Sequence, residues 1–185
     1  MRTSRKPRLP TEERLTRAAL HYLERYPSSS ANLRKVLERR VMKACRFHER
    51  DPEEFSEFID ATLDKCIRAG LVNDATYAET KAFAMKRRGA SSRKIQAYLT
   101  AKGVDRGTIE TVLQSEDQDE LSSAFIYARR RRLGPFRKSA DRTERRDKDM
   151  AALCRAGFSF ELARQVVDSS QETLEERGLI FNDTS

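Results

Sequence analysis

The sequence predicts an all-α protein: three tandem three-helix repeats forming an elongated, curved helical array. Three observations predict this class. Apolar residues recur at three- and four-residue spacing along almost the whole chain, the period of an amphipathic helix. The chain has only 7 glycines in 185 residues, and four of them fall where helices should end. Turn and β-branched residues are too few for a sandwich or barrel. Hydrophobic residues make up 38 % and charged residues 36 %. That balance suits thin helical layers better than one large core.

Each element follows in order. Residues 1–10 are basic and lack the apolar run of a signal peptide, so they are expected to form a disordered tail. Leu15, Ala18, Ala19, Tyr22 and Leu23 mark one face of a helix from about Thr11 to Arg25. Tyr26-Pro27 stops it, because the residue before proline avoids the helical region. Leu33, Val36, Leu37, Val41 and Cys45 mark a second helix, capped by Ser29 or Ser30. Pro52 suits the first turn of a third, which carries Phe55, Phe58, Ile59, Leu63, Cys66 and Ile67.

From there the punctuation is regular. Gly70, Gly89, Gly103 and Gly157 are each followed by one or two apolar residues and then a capping residue. This is the pattern of a helix ended on a left-handed glycine and followed at once by the next helix. It predicts helices over 73–88, 91–102 and 105–114. Ile95-x-x-x-Leu99-x-x-x-Gly103-Val104 has a counterpart in Leu153-x-x-x-Gly157-Phe158, and Leu33-x-x-x-Leu37 aligns with Ile95-x-x-x-Leu99. The expected repeats are 11–70, with an insertion near 42–54, then 71–114, then 115–168, with a charged loop near 133–148. Residues 169–185 would be a C-terminal tail.

Charge is unevenly placed. Residues 1–50 carry 14 basic and 5 acidic side chains, and residues 121–155 carry 11 and 4, within a net charge of +8. Two basic blocks separated by acidic ones point to a surface that meets a polar or acidic partner. Lys86, Arg87 and Arg88, with Arg93 and Lys94 beyond Gly89, form one cluster; Gly89 would let both sets reach one edge. Arg129, Arg130, Arg131 and Arg132, followed by Arg137 and Lys138, form the densest. These eleven residues are the candidate partner-binding set. Arg34, Lys35, Arg39, Arg40 and Lys43 form a third cluster, partly explained by pairing along the helix surface.

Several functions are disfavoured. No phosphate-binding loop, nucleophile elbow or metalloprotease motif is present, so no catalytic residue, cofactor or metal is expected. No apolar run approaches the roughly 20 residues that a membrane span needs. Three scattered cysteines, Cys45, Cys66 and Cys154, suggest a reducing compartment, hence the cytoplasm.

One stretch carries a family resemblance. Ile59-x-x-x-Leu63, Ala69-Gly70-Leu71-Val72-Asn73-Asp74-x-x-Tyr77-Ala78, Arg88-Gly89, Ile95, Leu99 and Lys102-Gly103-Val104 resemble the central repeat of the RecX family, regulators of the RecA recombinase. Arg155-Ala156-Gly157-Phe158-Ser159 with Val166-Val167 resembles that family's C-terminal repeat. Val41 stands where the first repeat's pattern has glycine. The resemblance implies a monomeric, non-enzymatic regulator of DNA repair and the SOS response. It would bind in the groove of the RecA–single-stranded-DNA filament and restrain ATP hydrolysis, strand exchange and filament extension. The basic clusters would face the filament, with single-stranded DNA as a further partner. Two other readings stand beside it: a sequence-independent nucleic-acid-binding module, with Tyr127 and Phe136 able to stack on bases, and a helical scaffold for some other acidic protein.

Overall fold

The structure, a computed structural model, describes residues 7–115, 120–138, 141–176 and 178. Among them it is all-helical and contains no strand. The α-helices are α1 (Glu12–Leu23), α2 (Ser30–His48), α3 (Ser56–Arg68), α4 (Asp74–Lys86), α5 (Ser92–Ala101), α6 (Arg106–Ser115), α7 (Glu120–Arg131), α8 (Arg142–Arg155), α9 (Phe160–Val167) and α10 (Gln171–Glu176).

Local chemistry explains the starts. Thr11 caps α1 by accepting the Arg14 N–H at 3.3 Å. Ser29, Asn73, Ser91, Asp105 and Ser159 do the same for α2, α4, α5, α6 and α9, each accepting the N–H three residues on. The ends are equally uniform. The N–H groups of Leu71, Ala90, Val104 and Phe158 return to the carbonyls of Cys66, Met85, Leu99 and Leu153 at 3.0–3.2 Å, one residue past each helix-ending glycine.

The chain divides into two compact units: residues 1–79 with 99–109, and residues 80–98 with 110–185. The divisions fall within α4, α5 and α6. The first unit has a core of Leu15 and Ala19 from α1, Leu33, Leu37, Val41 and Cys45 from α2, and Ile59, Leu63 and Cys66 from α3. The second packs Ala124, Phe125 and Ala128 of α7 against Met150 and Leu153 of α8, and Ala163, Val166 and Val167 of α9.

The structure adds detail where the sequence patterns were irregular. α2 runs unbroken to His48 and closes on Glu49, a left-handed residue at φ 52°. A capping box between Asp51 and Glu54 then starts a 3₁₀ turn over Pro52–Phe55. The segment expected as a charged loop is largely ordered helix: a 3₁₀ turn spans Gly134–Phe136, and α8 begins at Arg142. Ion pairs organise it. Arg137 meets Asp149, and Arg146 meets Asp168 at 2.6 Å, so charges that looked solvated in sequence are matched in space. Ser139 and Ala140 lie outside the described residues. So do residues 1–6 of the expected N-terminal tail, while Leu9 packs against the first core. Within the expected C-terminal tail, Leu174 of α10 is fully buried in the second core.

One device occurs in both units. In the first, the Ser29 hydroxyl donates to the Lys102 carbonyl at 2.5 Å, and Asp74 accepts from the Ser30 N–H at 2.7 Å. In the second, the Ser91 hydroxyl donates to the Ala156 carbonyl at 2.7 Å, and Glu120 accepts from the Ser92 N–H at 3.1 Å. Each time, a cap serine bonds the carbonyl just before a helix-ending glycine, Gly103 or Gly157. Each time, an acid in the first turn of another helix bonds the next N–H. Orphan donors at two helix starts are satisfied by long-range partners in the same way.

Candidate partner-binding surface

All eleven candidate residues belong to the second unit. The close approach that organises them is at Gly89, which has φ +79° and ends α4. A Cβ there would lie 2.6 Å from the Tyr127 backbone nitrogen, so only glycine lets the end of α4 meet the middle of α7. Arg130 then reaches back and donates to the Arg88 carbonyl at 2.9 Å, a cation on a helix C-terminus.

Two adjoining hollows result. One, of about 440 Å³, is lined by Arg88, Lys94, Tyr127, Arg130 and Arg131 among others. The other, of about 640 Å³, is lined by Arg93, Lys94, Tyr127, Arg131, Cys154 and Arg155 among others. Lys94, Tyr127 and Arg131 belong to both, and among the described residues no aspartate or glutamate lines either. The Arg131 guanidinium lies over the Tyr127 ring at 6.0 Å, and that ring packs against Phe158 at 5.9 Å. A basic surface with low-dielectric walls concentrates positive potential, and it suits an anionic partner.

The structure sorts the rest of the set. Arg129 and Arg132 are exposed and line neither hollow. Arg132 sits just past α7 with a left-handed φ of 54°, in the place that glycine takes elsewhere. Arg87 is exposed and lies over the Phe83 ring at 5.7 Å. Lys138 is exposed. Lys86 is only 4 % exposed, so it adds little to the surface its neighbours make.

Arg137 has a different task. It grips Asp149 with two hydrogen bonds, at 3.0 and 2.6 Å, and Asp149 also accepts the Gly134 N–H at 2.8 Å. Asp149 is 2 % exposed. Burial pushes its carboxyl upward, but the bonds from Arg137 and Gly134 and the charges of Arg137 and Arg145 hold it below the ordinary carboxylate range. This pair fixes the turn after α7 rather than offering a free cation.

Sequence reasoning missed Arg155 and Phe83 as surface residues. Arg155 is the cation that opens the Arg155-Ala156-Gly157 punctuation, so a signal for it was present. In the third cluster, Arg34 pairs with Asp60 and Arg39 bonds the Lys35 carbonyl. The three cysteines are free thiols; burial pushes Cys45 and Cys66 above the usual thiol range. No helix among the described residues is long and apolar enough to cross a membrane.

Fold and surface together define an all-helical protein, built on reciprocally stapled helix ends, with a concentrated basic face. Comparison with known proteins narrows this class. Residues 73–113 match the family model described as "RecX, second three-helix domain". A protein named "Regulatory protein RecX" from Myxococcus xanthus is 40 % identical over 172 residues, covering 91 % of this chain and 92 % of its own. One of the same name from Agrobacterium fabrum is 29 % identical over 170 residues, covering 90 % of each. The fold is also that of the crystal structure of RecX from Lactobacillus salivarius, with a TM-score of 0.63 at 23 % identity, covering 91 % of this chain and 97 % of that one. The chain belongs to the RecX family of regulatory proteins.

Proposed function

We propose that this protein is a non-enzymatic regulator that binds in the groove of the RecA–single-stranded-DNA filament. There it restrains ATP hydrolysis, strand exchange and filament extension, and so tunes recombination, DNA repair and the SOS response. It acts in the cytoplasm as a monomer. The observation that carries this reading is the 40 % identity, over nine-tenths of the chain, to a protein named as a RecX regulator. The basic hollows of the second unit support it, since a filament of DNA and protein presents abundant negative charge. The recurring serine and carboxylate staples support a chain of three-helix repeats, able to meet successive parts of a helical groove.

The test is RecA ATPase and filament length on single-stranded DNA with substoichiometric protein. The expected result is slower hydrolysis and shorter filaments. R130E/R131E should need roughly tenfold more protein for the same effect, because reversed exposed charges slow association. No change in ATPase or length at low salt would remove this reading.

Sequence-independent nucleic-acid binding is the second reading. Tyr127, which lines both hollows, favours it. Phe136 packs against the second core, as Tyr127 also does, but lines neither hollow.

A further inference from the structure

The first unit carries a basic groove that the candidate set does not include. One hollow there, of about 570 Å³, has Arg8, Arg14, Arg17, His21 and Arg40 around a floor that includes Leu15 and Ala44. A second, of about 240 Å³, continues it between α1 and α2: Ala18, His21 and Arg40 line both, and Tyr22, Arg25 and Tyr26 line the extension. Among the described residues, no aspartate or glutamate lines either hollow. Small side chains at Ala18 and Ala44 leave the space open, and longer basic side chains form the rim.

The basic side chains follow helix geometry. Arg14, Arg17 and His21 recur at three- and four-residue spacing, so they track one edge of α1; Arg25 lies in the turn past its end, and Arg40 of α2 lines both hollows with His21. From Arg14 to His21 the rise is about 10 Å along the axis. The nearby acids compete little. Glu13 meets Arg17 at 3.3 Å and Glu24 meets His21 at 3.7 Å, but all four side chains are at least 67 % exposed and screened by water. Arg14 is steadied by donating to the Leu9 carbonyl at 2.8 Å.

At one end of this groove stands an aromatic pair. The Tyr22 and Tyr26 rings lie 5.4 Å apart, tilted by 39°. Asn32 donates to the Tyr22 hydroxyl at 3.1 Å and fixes its ring. Tyr26 is 57 % exposed, a large share for an aromatic ring held against a neighbour.

We propose that the α1–α2 groove binds a single-stranded nucleic acid, its phosphates along the Arg14–Arg17–His21–Arg40 rim and a base stacked on Tyr26. A cationic track beside an exposed aromatic face is the chemistry by which proteins hold single strands without reading sequence. An acidic peptide would use the cations and leave Tyr26 idle. A duplex would meet the phosphate rim, but its bases are already stacked inside the helix. The proposal deepens the filament reading, on which its biological role rests, by assigning contact with the strand to the first unit.

The test uses the full chain and a fluorescent oligothymidylate, followed by anisotropy at several salt concentrations. R17Q/R40Q, two exposed substitutions, should weaken binding about tenfold. They should also flatten the slope of log affinity against log salt by about 1.4, as expected for two lost single-strand phosphate contacts. Tyr26→Ala should weaken binding about fivefold or more and leave that slope unchanged. A duplex of equal length should bind more weakly than the single strand. Unchanged binding by R17Q/R40Q, equal affinity for duplex, or equal displacement by polyglutamate would overturn the proposal. So would loss of binding confined to R130Q/R131Q. No recombinase enters this assay, so its failure and the failure of the ATPase test are told apart directly.

Discussion

At Asp149 a single carboxylate organises the turn between α7 and α8. It satisfies the Gly134 N–H and holds both arms of the Arg137 guanidinium. Removing one member of a buried pair leaves the other uncompensated, so Asp149→Asn should cost about 3 kcal/mol of stability, measured by urea unfolding at pH 7. The sign with pH follows from the lowered carboxyl. A carboxylate depressed in the folded state contributes stability above its unfolded value of about 3.9, and loses it as pH falls through the lower folded value. The wild type should therefore lose stability more steeply below about pH 4 than Asp149→Asn. Parallel acid-limb profiles for the two proteins would refute that role. In sequence, Asp149 is one of four acids among eleven bases in residues 121–155, and nothing marks it as the buried one.

Helix ends carry the fold at the scale of elements. Two glycines with similar backbones separate conformation from packing. Gly70 has φ +68° and open space beside it, whereas Gly89 has φ +79° and the Tyr127 backbone 2.6 Å from any added Cβ. Gly70→Ala should cost only the left-handed penalty, about 1 kcal/mol. Gly89→Ala should cost distinctly more, because α4 and α7 must move apart. Thermal unfolding of the two variants makes the comparison, and equal losses would mean that the close approach is unimportant. Gly89→Ala should also weaken partner binding, since Arg88, Tyr127 and Arg130 would separate. The caps and glycines were legible in sequence because their chemistry lies within four residues. The partners of Ser29 and Ser91 were not, because Lys102 and Ala156 are 73 and 65 residues away.

For the whole molecule, charge governs association. A net charge of +8 on 185 residues, with basic hollows in each unit, should make binding to any nucleoprotein partner fall steeply as salt rises. On the proposed function, the protein concentration that half-inhibits RecA ATPase should therefore rise between about 50 and 200 mM salt, and rise less for R130E/R131E. A salt-independent effect would point to apolar contacts. Of the candidate set, Arg88, Arg93, Lys94, Arg130 and Arg131 line the hollows, whereas Arg137 is committed to Asp149. Adjacent arginines in a sequence share composition but not environment. Three of the run lie on α7 and point in different directions, and Arg132 lies past its end.

The sequence by itself determined the helical class, the caps of α2, α4, α5, α6 and α9, and the glycine stops at Gly70, Gly89, Gly103 and Gly157. These follow from the 3.6-residue period and from hydrogen bonds that close within one turn. It also determined that the chain is basic in blocks. Only the tertiary structure decided which charges are free and which are matched. It turned the expected charged loop into a helix tied by Arg137–Asp149 and Arg146–Asp168. It drew Arg88 and Arg130 together at Gly89, and it placed Tyr26 beside Arg25 and Arg40. The physical reason is range: backbone preference acts over a few residues, whereas an ion pair or a groove depends on groups that packing alone brings within a few ångströms.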